Sequence, residues 1–408
     1  MNSKKHTSFF SALLPLVFCF AVLGSCKIIN YYKKRNIENT PPKTSQISNT
    51  VYDDSQEEMR GLWVPFIDLE INSNENTQQK FENKFQNIIS KAKNHKINTL
   101  IVHVRSHGDA LYPSKIFPWS HLLTGKQGIA PSFDPLKYMV EESHKNNLKF
   151  HAWINPLRIK SKTCPNELSK ENPCFKNDFE KHTITHVDGV CYNPGCSEIQ
   201  NLVIEGVKEI VENYNVDGIH FDDYFYPEKQ NAITKDLLFE EYSKKEKNPV
   251  NESEWRKNNI TEIVKKTYQT IKQVNPNIQF GISPPGIIEK CYKEGADVNL
   301  WLTNEGYLDY ICPQIYWSID FEEMPFEKTA LKWKNIKHNP NIKIYSGLAL
   351  YKIGTDLDKN TWKNSNDIIK KEVQILRNLN YNGFVLYSSK YLDCPETEIE
   401  LKNLSSII

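Results

Sequence analysis

The chain has 408 residues, and its 51 lysines and arginines nearly balance its 50 aspartates and glutamates, leaving a formal net charge of +1. Nucleic-acid-binding proteins normally carry a clustered basic surplus, so this balance argues against a nucleic-acid partner. With 39% hydrophobic and 12% aromatic residues the chain can bury a large core, which excludes the disordered, collagen-like and small disulfide-knot classes. The length fits two ordinary domains or one large α/β barrel with long loops.

The N-terminus has the pattern of a secretory signal peptide in residues 1–25, with lysines followed by an apolar run and small residues. Residues 23–26 (LGSC) resemble the bacterial lipobox, in which the peptide is cut before the cysteine and that cysteine is lipidated. We expect an extracytoplasmic lipoprotein of the bacterial cell envelope, held by Cys26 on a membrane, with the outer membrane as first choice. The alternative is a plain signal peptide with an incidental Cys26. Residues 26–56 are polar and typical of a flexible linker, which leaves residues 57–408 as the folded body.

Four of the remaining cysteines lie close together in sequence. In an oxidising compartment, Cys164 with Cys174 and Cys191 with Cys196 are expected to form disulfides within one loop region, with the connectivity left open. A zinc site of these four thiols is the alternative, but the Cys-x9-Cys and Cys-x4-Cys spacings do not match structural zinc motifs.

Short apolar runs alternate with amphipathic helical patterns from residue 58 onwards. The predicted strands are residues 59–66, 97–104, 148–154, 216–222, 278–283, 308–316, 342–347 and 383–387. Near-continuous apolar strands that alternate with helices predict a parallel sheet covered on its outer face, and eight such units predict a closed (β/α)8 TIM barrel. The alternative is an open doubly wound sheet, which normally has a glycine-rich turn after its first strand, and residues 67–70 (IDLE) contain none.

The functional groups of such a barrel lie in the loops that follow the strands. Two of these loops are long: the one after strand three has about 40 residues from Asn155 and carries the four cysteines, and the one after strand four spans residues 224–251. Loops that exceed the length needed for a connection usually carry function or cover a cleft.

Polar side chains mark the ends of strands two, three and four. Side chains alternate along a strand, and the sets that share a face are His103 with Arg105, His151 with Trp153 and Asn155, and His220 with Asp222. The outer face must be apolar to contact helices, so these sets are expected to point into the barrel. Arg105, Asn155 and Asp222 then form the layer at the mouth, with the three histidines one layer deeper.

Asp222 is the predicted catalytic residue, because a carboxyl group at the end of strand four can serve as nucleophile or general acid in glycoside chemistry. Arg105 nearby would hold the carboxylate ionised or bind a substrate oxygen. The alternative is a structural ion pair between these two residues. Asp223 is the second choice for the nucleophile and a candidate acid/base or orienting group.

Other groups at the strand ends favour a saccharide cleft, since flat aromatic rings can stack on sugars. The predicted substrate-binding residues are Arg105, Asp109, His151, Trp153, Asn155, His220, Tyr224, Gln314, Tyr316 and Trp317. The three barrel histidines could bind zinc, but no two lie on one strand at His-x-His spacing, and we expect no metal and no cofactor.

Seven segments together resemble the glycosyl-hydrolase-like family 10, long catalogued as a domain of unknown function. They are residues 60–64 (RGLWV), 104–112 (VRSHGDALY), 118–120 (PWS), 150–158 (FHAWINPLR), 216–227 (VDGIHFDDYFYP), 280–284 (FGISP) and 313–317 (PQIYW). The resemblance covers about residues 57–390 in the family's order. It implies a (β/α)8 barrel and a bacterial envelope lipoprotein, and one branch of the family hydrolyses peptidoglycan glycan strands from which the stem peptides have been removed.

The partner of Asp222 stays open at this point. Strand five ends in residues 283–285 (SPP), where many barrel glycosidases place a glutamate. The possible partners are Glu70, Asp109, Glu289 and Asp320. A chitinase-type mechanism is disfavoured, because Tyr224 stands where the catalytic glutamate of chitinases would align.

The sequence therefore predicts a glycosidase that cleaves polysaccharide, with peptidoglycan glycan lacking stem peptides as the first choice of substrate. Two other classes of protein stay open. One is a non-catalytic glycan-binding envelope lipoprotein, and the other is a metal-dependent carbohydrate deacetylase.

Overall fold

A parallel barrel lies at the centre of the computed structural model, which describes residues 58–71, 77–176, 178–363 and 366–408. The strands in chain order are β1 (Met59–Val64), β2 (Thr99–Arg105), β3 (Lys149–Ile154), β4 (Arg158–Ser161), β5 (Thr183–His186), β6 (Gly189–Tyr192), β7 (Gly218–Phe221), β8 (Gln279–Ile282), β9 (Tyr310–Ile311), β10 (Lys343–Ile344), β11 (Ser346–Leu348) and β12 (Gly383–Tyr387). Each of the eight predicted apolar runs overlaps a strand of this barrel.

The barrel strands pair in the order β10-β9-β8-β7-β3-β2-β1-β12-β11, and every pair is parallel. The two end strands, β10 and β11, follow each other directly in the chain. Strand β10 pairs with β9, and β11 pairs with β12. These two short strands therefore bring the two edges of the sheet together, and they share the seventh position of the barrel. The predicted (β/α)8 fold is confirmed, and the open doubly wound sheet is excluded.

Helices cover the outside of the barrel, and others lie in its loops. They are α1 (Phe66–Leu69), α2 (Thr77–Asn94), α3 (Pro135–Lys145), α4 (Phe179–His182), α5 (Ser197–Asn213), α6 (Leu237–Lys245), α7 (Glu252–Val274), α8 (Ile288–Lys293), α9 (Val298–Thr303), α10 (Phe326–Lys334), α11 (Leu357–Asn360), α12 (Ile368–Asn378) and α13 (Glu398–Ser405). In α2 the apolar residues recur at helical spacing and are the buried ones, among them Phe81, Phe85 and Ile88. Helix α3 begins at Pro135, because the Asp134 side chain accepts a hydrogen bond from the Lys137 backbone and Pro135 occupies the first helical position.

The alternation of side chains along β1 shows how the strands serve two cores. Leu62 and Val64 belong to the apolar layer between the barrel and its helices. Trp63, between them, points inward and packs in a separate cluster with Trp153 and Tyr310. Large rings therefore fill the inside of the barrel, and the polar groups of the mouth lie above them.

The long loop after β3 contains structure that the sequence patterns did not predict. Strands β4, β5 and β6 form a small antiparallel sheet in the order β4-β6-β5. The loop after β7 contains helix α6. Both insertions leave the barrel at the carboxyl ends of its strands, which is the end that carries the site.

The predicted disulfides are not formed, because the four cysteines of this region are free thiols with separate neighbours. Cys164 Sγ lies 2.8 Å from His121 Nε2, Cys191 Sγ donates to the carbonyl of Ile184 in β5, and Cys196 Sγ donates to Glu198. Folding of the small sheet places each thiol against a different element, so closeness in sequence does not become closeness in space.

The predicted signal peptide, the linker and Cys26 lie outside the described residues. Among the residues that the structure describes, no helix combines the length and the apolar character needed to cross a membrane.

Candidate active site

Asp222 lies directly after β7 at the mouth of the barrel, and 2% of its surface is exposed. Its Oδ2 accepts a 3.0 Å hydrogen bond from Trp153 Nε1, and its Oδ1 accepts one of 3.3 Å from the backbone N–H of Tyr224. Burial raises the pKa of Asp222 to about 6, although the nearby Arg158 cation and these two hydrogen bonds favour the ionised form. Near neutral pH the carboxyl group can therefore give or take a proton, as general acid–base catalysis requires.

Trp153 and His103 form one side of the Asp222 pocket. Their rings are stacked, with centroids 3.4 Å apart and planes 16° apart. His103 Nε2 lies 3.7 Å from Asp222 Oδ2, but this contact is no ion pair at neutral pH. Burial, and then Arg158, lower the pKa of His103 well below its usual range. Trp153 is 5% exposed, so it orients the carboxyl group and does not offer a free face to a sugar.

A layer of neutral histidines lies deeper, inside the barrel. Trp63 Nε1 donates to His220 Nε2 at 3.2 Å, which leaves the His220 proton on Nδ1. That nitrogen lies 2.9 Å from the Tyr310 hydroxyl, which in turn lies 2.9 Å from His151 Nδ1. Burial lowers the pKa of both histidines, that of His151 to about 4. Because both rings are fully buried and bonded to Tyr310, they support the floor of the mouth from below.

The metal alternative for the barrel histidines gains no support from this layer. His103, His151 and His220 do not form a group of potential metal ligands among the described residues.

Arg105 does not lie where predicted. The pairing between β2 and β3 shifts register between His103 and Arg105, and this bulge breaks the alternation of side chains. The Arg105 guanidinium packs 4.3 Å from the centre of the Phe117 ring and against α5, where a Cβ on Gly206 would stand 2.2 Å from Nη1. Arg105 therefore faces the helix layer, and both its predicted contact with Asp222 and the alternative ion pair are wrong.

Arg158, the first residue of β4, is the cation that acts on Asp222 instead. Its Nε donates to the carbonyl of Ser106 at 2.8 Å, and its guanidinium lies 4.5 Å from the centre of the Tyr224 ring. Our sequence reasoning missed Arg158 because it lies in the loop, four residues past the end of β3. The signal was present, since the family-like segment 150–158 ends on this arginine.

Asp223 also faces the mouth, because β7 ends at Phe221 and the alternation of strand side chains no longer applies. Its half-buried carboxyl group accepts a hydrogen bond from Gln314 and lies near Lys290. Burial raises the pKa of Asp223, Lys290 lowers it, and the negative charge of Asp222 raises it further. Two neighbouring carboxyl groups in different surroundings therefore meet at this point.

The partner carboxylates left open by the sequence do not join them. Glu70, Glu289 and Asp320 are exposed side chains. Asp109 is buried and bonded within the loop after β2, where its Oδ2 accepts from Gln127 Nε2 and lies 3.1 Å from His121 Nδ1. Asp223 is thus the sequence-predicted carboxyl group that lies beside Asp222.

Tyrosine rings line the mouth near these carboxyl groups. Tyr316, Tyr351 and Tyr387 pack with ring centroids 5.8 to 6.0 Å apart, and the edge of Tyr316 meets Trp63. Tyr224, stacked on Arg158, is 45% exposed. Sequence reasoning missed Tyr351 because it lies in no motif. The group offers several flat faces for sugar rings.

Three other predicted binding residues have supporting contacts. Asn155 Oδ1 accepts from the backbone of Arg158, which fixes the turn that carries this arginine. Gln314 Nε2 donates to the carbonyl of Ser283 at 2.9 Å, and Trp317 Nε1 donates to Thr329 in α10. These contacts hold strand ends and helices in place around the mouth.

A parallel barrel whose fourth strand ends in a buried carboxyl group, with a second carboxyl group and aromatic rings beside it, has the architecture of the barrel glycoside hydrolases. The chain belongs to the Glycosyl hydrolase-like 10 family, whose family model matches residues 58–364.

Named relatives agree with this assignment, and a solved structure shares the fold. The chain is 34% identical over 338 residues to glycosyl hydrolase YngK of Bacillus subtilis (strain 168), covering 78% of this chain and 65% of YngK. It is 31% identical over 402 residues to glycosyl hydrolase DigH of Escherichia coli O6:H1 (strain CFT073), covering 90% of this chain and 91% of DigH. The glycoside hydrolase domain of PgaB (BpsB) from Bordetella bronchiseptica superimposes on this chain with a TM-score of 0.59 and 11% sequence identity. The match covers 86% of this chain and 99% of that domain, and it shows that the two share a fold.

Proposed function

We propose that this chain is a glycosidase with Asp222 as its general acid. The observation that carries the proposal is the buried Asp222 carboxyl group at the end of β7, with a pKa of about 6 and with Asp223 as its neighbour. Hydrolysis of a glycosidic bond by the common route needs two carboxyl groups whose surroundings give them different protonation states.

The two carboxyl groups divide the work in this proposal. Protonated Asp222 donates to the leaving glycosidic oxygen, held in position by Trp153 Nε1. Asp223 acts as the carboxylate base or nucleophile. Burial raises the pKa of its carboxyl group, and the Lys290 charge and the Gln314 amide act against that rise. The exposed face of Tyr224 and the neighbouring tyrosines hold the sugar rings on either side of the bond.

For the substrate we propose peptidoglycan glycan strands that lack stem peptides. The support is the family resemblance, since one branch of the family acts on such strands. A lipid anchor on Cys26 would hold the barrel beside this polymer. The near-zero net charge of the chain fits a substrate that is recognised through sugar rings more than through charge.

Mass spectrometry of the products from denuded glycan strands tests activity, bond and substrate together. We expect shorter saccharides, each cleavage adding one water, and none with Asp222→Asn. Strands that bind in a pull-down but release no reducing ends would instead identify a non-catalytic glycan-binding protein. Loss of acetyl groups that stops when a chelator is added would identify a deacetylase.

We also propose that Cys26 anchors the protein in the cell envelope. The full chain should incorporate fatty acid and sediment with membranes, because several buried acyl chains give stable attachment. Cys26→Ser should abolish the labelling and release the protein into the soluble fraction. Equal labelling and sedimentation of the variant would show that the LGSC segment is incidental.

A further inference from the structure

A second cluster of reactive side chains lies outside the carboxyl pair, where the loop after β2 meets the loop after β3. His107, His121 and Cys164 each offer one ligand atom, and these three atoms all lie within 4.8 Å of one another. Phe66 separates the cluster from the mouth, since its ring centroid lies 5.0 Å from that of His107 and 5.7 Å from the Arg158 guanidinium.

His121 is held in a fixed orientation at the centre of this cluster. Its Nε2 lies 2.8 Å from Cys164 Sγ, and its Nδ1 lies 3.1 Å from Asp109 Oδ2. Gln127 Nε2 donates to the same carboxylate oxygen at 3.0 Å. A metal-binding histidine is commonly supported by a carboxylate on its other ring nitrogen, because this contact fixes the tautomer and orients the ring.

His107 supplies an independent observation. The side chain is 1% exposed, and its Nδ1 lies 2.9 Å from Ser106 Oγ. Its Nε2 is buried with no hydrogen-bond partner among the described residues. A buried polar atom left without a partner destabilises the fold, so a ligand for this nitrogen is expected.

We propose that His107, His121 and Cys164 bind a zinc ion, with Asp109 as the carboxylate behind His121. Two imidazoles and one thiolate are a donor set that suits zinc, and three protein ligands leave the fourth tetrahedral position for water. Bond lengths of about 2.0–2.1 Å to nitrogen and about 2.3 Å to sulfur place neighbouring ligand atoms about 3.5 Å apart. His121 and Cys164 would therefore separate by less than about 1 Å on binding, which side-chain rotation can supply.

The same residues also fit a second kind of site, a cysteine nucleophile. Cys164, His121 and Asp109 have the order of a nucleophilic thiol, a base and an orienting carboxylate. A nucleophile of this kind does not use the bare nitrogen of His107, whereas a metal ion does. Zinc accounts for all four side chains, and it would tie together the two loops that carry Arg158 and the wall of the mouth.

Zinc binding by the full chain tests the proposal without reference to glycosidase activity. After chelation and dialysis against zinc, elemental analysis should find one zinc per chain, and the melting temperature should rise because zinc binds the folded state. Cys164→Ser and His107→Ala should each lose the metal and the rise. With cobalt(II) in place of zinc, a thiolate-to-metal charge-transfer band should appear in the parent chain and be absent from Cys164→Ser.

Two cysteine variants serve as controls. Cys174→Ser removes a buried thiol of the same loop outside the cluster, and Cys196→Ser breaks a second possible grouping of His182, Cys196 and Glu198. Both should keep one zinc. The proposal is overturned by a parent chain without zinc, by zinc retained in both cluster variants, or by zinc lost only with Cys196. Alkylation of Cys164 that zinc does not slow would also overturn it and favour the nucleophile.

Discussion

Replacing Asp222 with Asn should lower kcat/KM on denuded glycan strands by about 10²- to 10⁴-fold, the range typical for loss of a general acid. The amide keeps the size of the carboxyl group and can still accept the hydrogen bond from Trp153 Nε1. It cannot donate a proton to a leaving oxygen at a useful rate. Reducing ends released per unit time measure the loss.

The stability of the same variant should move in the opposite direction. The pKa of Asp222 is about 6 in the folded chain and about 4 when unfolded, so its protonated form stabilises the fold below about pH 4. That contribution is lost as the pH rises through 6. A shift of about two units corresponds to about 3 kcal/mol at pH 7, a cost that the neutral amide lacks. The melting temperature of Asp222→Asn should thus equal or exceed that of the parent by a few degrees at pH 7, and the gain should shrink between pH 6 and pH 4.

Asp217→Asn is the matched control, because Asp217 lies at the other end of the same strand. Its Oδ2 accepts from the backbone of Phe150 at 2.7 Å and lies 2.8 Å from His144 Nε2. Weakening these bonds should lower the melting temperature while leaving kcat unchanged. Full activity of Asp222→Asn would show that Asp222 is a structural carboxyl group. Equal losses of activity in the two variants would show that Asp222 is no more important for catalysis than Asp217.

The barrel was predictable because its determinants are local. The barrel strands are short, mainly apolar runs, and the long helices between them carry an apolar stripe at helical spacing, as in α2. The position of Asp222 at the mouth was predictable for the same reason, since it directly follows one of these runs. The division of β10 from β11 could not be predicted, because it reflects the closing of the sheet and no local pattern marks it.

The failures concern contacts between distant segments. Alternation of side chains predicted Arg105 at the mouth, but a register shift depends on how β2 pairs with β3 and leaves no mark in β2 itself. The cysteines were expected to pair with their neighbours in sequence, yet Cys164 meets His121 from the loop after β2. Asp223 was the second choice for the nucleophile, because within a strand its side chain would point to the face opposite Asp222. Strand β7 ends at Phe221, so this alternation does not apply to Asp223.

Replacing Arg158 with Met should shift the pH profile of the proposed glycosidase activity. This effect tests whether Arg158, as the structure places it, or Arg105, as the sequence predicted, acts on Asp222. Arg158 is the cation that lowers the pKa of Asp222 against burial. Without it the pKa should rise by about one unit, so the limb of the kcat/KM profile that Asp222 controls should move to higher pH by the same amount. The loss of the stacking contact with Tyr224 should also reduce kcat/KM, by about tenfold, since about 1.4 kcal/mol of positioning energy corresponds to that factor.

Arg105→Met is the comparison that decides between the two arginines. The Arg105 guanidinium packs on Phe117 in the helix layer, where an apolar side chain of similar length is tolerated. The limb of the kcat/KM profile should therefore stay at the same pH. Arg158→Lys keeps the positive charge but loses the planar stack, so it should hold the limb in place while kcat/KM falls. A shifted limb in Arg105→Met, or an unshifted one in Arg158→Met, would return Arg105 to the role that strand alternation predicts. The expected pattern instead makes the loop after β3 the segment that sets the protonation of the catalytic carboxyl group.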